Sequence, residues 1–148
     1  MPMHRFTIAV DPTSLTRSQR GQVAGVIYAE IDGVPFPERQ WSDSVVVVLL
    51  LWIEALNELA AGSRDHLILP FMDAPLHLGL TRTLADVHVS AVDSRRADVI
   101  VAEMNDDLES IHGTAQEAAS QVLRKCAEML WCSSDTDQLV TSTNDSLG

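Results

Sequence analysis

Apolar and polar residues alternate from Arg5 to Val10, with Phe6, Ile8 and Val10 on one side, until Asp11-Pro12-Thr13-Ser14 breaks the pattern. That predicts a first strand closed by a loop. Gln22 to Asp32 is rich in small and β-branched residues and runs into Asp32-Gly33, a strong turn signal. A longer second strand is expected there, antiparallel to the first across a long loop. Pro35 and Pro37 hold Val34 and Phe36 extended and deliver the chain to a change of period. From Trp41 onward, Val45, Val48, Leu49, Trp52, Leu56 and Leu59 recur at helical spacing, with Ser42 as N-cap, Asp43 in the first turn and Gly62 as the stop.

The second half returns to period two. His66 to Met72 and Leu76 to Leu80 flank Asp73-Ala74-Pro75, and a tight turn there pairs Phe71 with Leu76, Leu69 with Leu78 and Leu67 with Leu80. Leu84 to Val92 adds Val87 and Val89 to the same apolar face, which makes a three-stranded meander. Pro70 marks its strand as an edge or a bulge, because proline cannot donate to a ladder. Ala97 to Met104 reads as one more strand, closed by the polar Asn105-Asp106-Asp107. Thr114-Ala115-Gln116-Glu117 is a capping box, followed by a stripe of Ala115, Ala118, Ala119, Val122, Cys126, Met129 and Leu130 that predicts a second helix ending near Trp131. The expected fold class is α+β, a mainly antiparallel sheet of five to six strands carrying two helices on one face, in the order ββαββββα. Residues 1–132 form the expected single domain, and residues 133–148, polar and small, a disordered tail.

Composition refines this picture. Hydrophobic residues are 46% of the 148 but aromatics only 5%, so the core must be aliphatic and pinned by a few rings. The net charge of −11 is spread along the chain, which favours solubility and a basic protein partner. It excludes nucleic acid as the expected ligand, since phosphate neutralisation needs clustered cations and the chain has a single lysine, Lys125. The start Met1-Pro2-Met3-His4 carries no signal-peptide pattern, and the longest apolar run, Val45 to Ile53, is too short to span a bilayer. A cytoplasmic protein without membrane attachment is expected. Cys126 and Cys132, read on one helix, would hold their Cα atoms about 9 Å apart, beyond disulfide reach.

Chemistry is sparsely marked. No nucleophile elbow, phosphate loop, dinucleotide fingerprint, zinc-protease helix or paired Cys-x-x-Cys occurs, so no catalytic residue, cofactor or metal is assigned. A connection centred on Arg82-Thr83 would set His77 opposite His88, but two imidazoles with only Asp86 and Met72 nearby make a poor zinc site, and solvated strand histidines are the expectation. Glu54 and Glu58, four apart on the first helix, repel each other in isolation and become useful opposite a cation. Asp73 stands in a tight turn, where a carboxylate can bond its own backbone amides or a partner.

Val34-Pro35-Phe36-Pro37 leading to Trp41 and a Trp52-bearing helix, then Phe71-Met72-Asp73-Ala74-Pro75 between strands, resembles small bacterial α+β proteins, some of which act as immunity partners of secreted toxins. The likeness covers about residues 34 to 80. It implies a non-catalytic binding protein that masks a basic effector, for which Asp73, Glu54, Glu58 and Met72 are the candidate partner-binding residues. Two other classes compete. One is a small hydrolase or isomerase with a loop-based site at Asp73. The other is a homo-oligomeric module, a dimer included, that exposes Ile68, Pro70 and Met72.

Overall fold

The computed structural model describes residues 5–145. The expectation placed on Met1 to His4 therefore lies outside the described residues, as do the last three residues of the expected tail. Among the described residues, nine strands and three α-helices run in the order β1 (Thr7–Val10), β2 (Thr16–Arg17), β3 (Val23–Ile31), β4 (Val34–Phe36), β5 (Ser42–Asp43), α1 (Val45–Ala60), β6 (His66–Pro70), β7 (Leu76–Arg82), β8 (Val87–Asp93), β9 (Val99–Asp106), α2 (Leu108–Glu128) and α3 (Ser134–Asp145). The class is α+β, as expected, but the single sheet is replaced by two antiparallel sheets, of five and four strands.

β3 organises the first sheet. It pairs antiparallel with β1, with β2, with β4 across the Asp32-Gly33 turn, and with β5. Asp32 and Gly33 both have positive φ, 52° and 80°, the geometry whose twist suits a two-residue hairpin. Gly25 is required by a close approach: a Cβ there would stand 2.5 Å from Leu15 Cδ2 and 3.2 Å from its Cα, where the turn at Pro12–Ser14 crosses the strand. The second sheet is the meander β6-β7-β8-β9, and its first pairings are those the alternation predicted, Leu67 with Leu80 and Leu69 with Leu78. Phe71 N–H donates to the Leu76 carbonyl, so the turn closes where expected.

Two helix starts differ. Ser42–Asp43 is a short strand on β3, so α1 starts at Val45 with Ser44 at its cap, and Trp41 lies outside the helix. The valine run still ends up helical, because Val45, Val48, Leu49, Trp52, Leu56 and Leu59 form one fully buried face. α1 stops at Ala60 with Gly62 at φ 77° just beyond, and Ser63 N–H bonds the Glu58 carbonyl. α2 begins at Leu108 rather than at Thr114, since Asp107 caps it by accepting from Ser110 N–H at 2.7 Å; Thr114 is free to accept from Ile8 N–H instead.

The third helix overturns the expected disordered tail over residues 134–145. Ser133 and Thr136 cap each other reciprocally, Ser133 N–H to Thr136 Oγ1 at 2.9 Å and Thr136 N–H to Ser133 Oγ at 3.1 Å. Asp135 and Asp137 sit in the first turn, where the helix dipole favours them. Leu139 is fully buried, and Thr136, Ser142 and Thr143 are buried with it, against α1 and α2. Small polar residues serve because their hydroxyls bond helix carbonyls, as Thr143 Oγ1 does with the Leu139 carbonyl. One continuous core joins the inner faces of both sheets to α1 and α2.

Candidate functional site

A densely bonded polar position is the junction between β5, α1 and the turn after β6. Asp43 is buried, and its Oδ2 accepts from Trp41 Nε1 at 3.0 Å, Met72 N–H at 3.0 Å and Asp73 N–H at 3.3 Å, while Oδ1 accepts from Ser44 N–H at 2.7 Å. The β5 pairing with β3 aims this side chain inward at the start of α1, where amide groups and the helix dipole meet a carboxylate favourably. Around it, Phe71 makes edge-to-face contacts with Trp52 at 5.1 Å, Phe36 at 5.9 Å and Trp41 at 6.3 Å. Trp52 Nε1 donates to the Pro70 carbonyl at 2.7 Å. The turn carrying Asp73 is thus fixed from below by one carboxylate and three aromatic contacts.

Above that brace, Met72 and Asp73 face solvent, Met72 with 49% of its surface exposed. The Asp73 carboxyl is raised above the ordinary aspartate range, first by partial desolvation and second by repulsion from Asp43. Glu54 and Glu58 are also exposed, on the outer side of α1, with Glu58 3.7 Å from Arg64. They are not beside Asp73. α1 runs antiparallel to β6, since Trp52 meets Pro70 and the Arg82 guanidinium donates to the Leu59 carbonyl at the far end. Glu54 and Glu58 therefore stand about 16 and 22 Å along the helix from Asp43. The four candidate residues are therefore spread along the length of α1 rather than gathered in a single pocket.

His77 and His88 are not opposite each other. The β7–β8 connection is centred on Leu84-Ala85, so His77 pairs with Val92 and His88 with Thr81. They keep the same face but lie four residues apart, about 13 Å along the strand. His88 Nδ1 instead meets Asn105 Oδ1 at 2.8 Å, and its Nε2 lies 3.7 Å from Glu103. Among the described residues, no group of three or more His, Cys, Asp or Glu could hold a metal ion. No helix among them is long and apolar enough to cross a membrane.

The cysteines are both free, and they do not share a helix. α2 ends in a left-handed Leu130, φ 58°, with Trp131 N–H bonded to the Cys126 carbonyl at 2.8 Å, which leaves Cys132 beyond the turn. Both line a cleft of about 190 Å³ with Leu123, Trp131 and Val140, between α2 and α3. Burial and proximity to Cys132 push the Cys126 thiol up, away from thiolate reactivity. A second cleft of about 140 Å³ lies between Pro12 and the Arg124–Lys125 turn of α2. Each is below the roughly 300–1,000 Å³ of a small-molecule site.

Two features escaped the sequence reading. The sequence pattern puts Asp43 in a helical turn, and only the Trp41-Ser42-Asp43-Ser44 string signals a side chain with several donors nearby. The other is a relay across the helices: His112 Nε2–H donates to Asn57 Oδ1 at 2.9 Å, and Asn57 Nδ2 donates to the Ser142 carbonyl at 3.2 Å. It needs α3, so no reading without that helix could find it. Compared with protein-family models, characterised proteins and solved structures, the chain matches none.

Proposed function

We propose that this chain is a non-enzymatic binding protein, of the immunity or accessory type, whose acidic surface masks a basic protein partner. The observation that carries the reading is the distribution of charge. The net charge is −11, while Arg5, Arg39, Arg64, Arg82 and Arg95 each lie within ion-pair distance of a carboxylate of the same chain. Glu54, Asp73, Glu117, Asp135 and Asp137 remain at exposed positions facing solvent. Such a surface steers a cationic macromolecule by long-range attraction and repels an acidic one. The braced Asp73 turn adds an exposed carboxylate beside an adaptable methionine.

The test is kinetic. The protein, immobilised at low ionic strength, recovers its partner from an extract, and association and dissociation are then followed with the purified pair. The association rate should fall by roughly tenfold or more between about 20 and 150 mM salt while dissociation changes less. An association rate indifferent to salt, or a partner with no excess of lysine and arginine, refutes the reading.

A further inference from the structure

β9 pairs with β8 along one side, and among the described residues no strand pairs with its other side. Most of that edge is aliphatic. Val99, Ile100 and Val101 are exposed by 48%, 54% and 49%. All three side chains reach solvent at this end of the strand. A register shift between Ala91 and Val92 accommodates an extra residue of β9 here. The opposite edge of the same sheet is protected, because β6 packs against α1 and ends in Pro70. A run of three exposed aliphatic residues along an unpaired strand edge is a docking feature or a liability.

Charge around the edge selects the occupant. Asp98 precedes the aliphatic triplet, Glu103 lies within the strand, Asp32 N–H reaches Met104 Sδ at 3.2 Å from the β3–β4 turn, and Asp106 and Asp107 follow. Among the nearby arginines whose side chains are described, Arg95 is held by Asp93 at 3.0 Å, and Arg5 lies within 3.6 Å of both Asp106 and Asp107. A second copy of the chain fits badly. Antiparallel self-pairing about Val101 would place Glu103 opposite Val99 and Asp98 opposite Met104, and would bring two chains of charge −11 together.

We infer that the outer edge of β9 is a docking strand for an extended cationic segment of a protein partner, which adds to the β6–β9 sheet as a fifth strand. Its backbone would bond the edge amides and carbonyls between Val99 and Glu103, its aliphatic side chains would cover Val99, Ile100 and Val101, and its lysines or arginines would meet Asp98, Glu103 and Asp32. This inference rests on the proposed binding of a basic partner and says which part of that partner is recognised.

The probe is a fluorescently labelled peptide of alternating lysine and valine, compared with the same peptide N-methylated at alternate valines, which keeps the charge but removes the donors of one strand edge. Binding is measured by anisotropy at low salt, and its location by amide chemical shifts of the full chain. The parent peptide should shift amides of residues 99–104, and N-methylation should weaken it by about tenfold or more, the size of one or two lost backbone bonds. The doubly substituted Val99→Lys, Val101→Lys protein should lose binding similarly, and a urea midpoint equal to wild type checks its fold; if that midpoint falls, the N-methylated peptide on the wild-type chain decides. Equal affinity of parent and N-methylated peptides, or shifts confined to α1 around Glu54 and Glu58, overturns the edge strand while leaving the electrostatic reading intact. Absence of parent-peptide binding overturns it too, and the salt dependence of the natural partner then judges the broader reading separately. Sedimentation showing a micromolar dimer that Val99→Lys, Val101→Lys dissolves would make a second copy the occupant and refute the inference.

Discussion

Replacing Asp43 by alanine removes the acceptor of four donors at once: Trp41 Nε1, Ser44 N–H, Met72 N–H and Asp73 N–H. A hydrogen bond to a charged acceptor contributes roughly 1.5–3 kcal/mol, and a donor left buried without a partner costs about 1–3 kcal/mol. The contributions do not all survive in the sum. Met72 and Asp73 lie on an exposed turn whose amides can rotate toward water, whereas Trp41 Nε1 and Ser44 N–H are held in part-buried positions at the start of α1. The expected loss is therefore about 3–4 kcal/mol, set mainly by those two donors. Asp43→Asn should lose about half as much, because its oxygen can keep the three bonds now made by Oδ2 while its amide nitrogen opposes Ser44 N–H. Urea denaturation followed by far-UV circular dichroism measures both. Amide exchange at Met72 and Asp73 should accelerate in Asp43→Ala well before global unfolding, since the turn loses its pin. A loss under about 1 kcal/mol for Asp43→Ala, with exchange at the turn unchanged, would show that the buried carboxylate does not brace it.

Other predictions follow from single features. Leu139→Ala should destabilise by about 2–5 kcal/mol in the same assay, as a fully buried leucine does, and a change under about 0.5 kcal/mol would mean that α3 is not docked. Leu130→Gly should stabilise by roughly 0.5–1 kcal/mol, because Leu130 holds a left-handed φ of 58° with 81% of its surface exposed; a loss of stability would contradict that reading of the α2 terminus. Burial lowers the His112 pKa below its ordinary 6.5, so the unfolded chain takes up this proton first as pH falls. The stability contributed by neutral His112 should be complete above about pH 6.5 and be lost as pH drops through the lower folded value, and His112→Gln should flatten that part of the urea-midpoint profile relative to wild type. An identical profile in the two proteins would refute the assignment.

What could be read from the chain was whatever short-range patterning determines. The Phe71–Leu76 turn fixed the β6–β7 register because a shift by one residue would have turned Leu67, Leu69, Leu78 and Leu80 outward. The β7–β8 register was missed by four residues, since Thr83 to Asp86 contains no glycine or proline to place the reversal and parity alone cannot distinguish registers that differ by an even number. The division into two sheets was also hidden: β2 and β5 are two residues each and exist only as partners of β3. α3 was lost to composition, because a helix that buries Leu139 with threonine and serine has almost no apolar stripe; the Ser133-x-x-Thr136 cap with acidic neighbours was the available signal. Of the candidate partner-binding residues, exposure at Met72, Asp73, Glu54 and Glu58 was anticipated correctly, but their spread along α1 depends on the packing of β6 against that helix.

The most direct test of an electrostatically assembled binding surface is the association rate of the triple variant Glu54→Gln, Glu58→Gln, Asp73→Asn with the recovered partner at low salt. All three side chains are exposed, so the urea midpoint should stay within about 0.5 kcal/mol of wild type. The association rate should fall by about three- to tenfold, toward the value that wild type shows at physiological salt, with dissociation changed less. A variant that associates as fast as wild type would contradict the proposal that these carboxylates guide a basic partner to the protein.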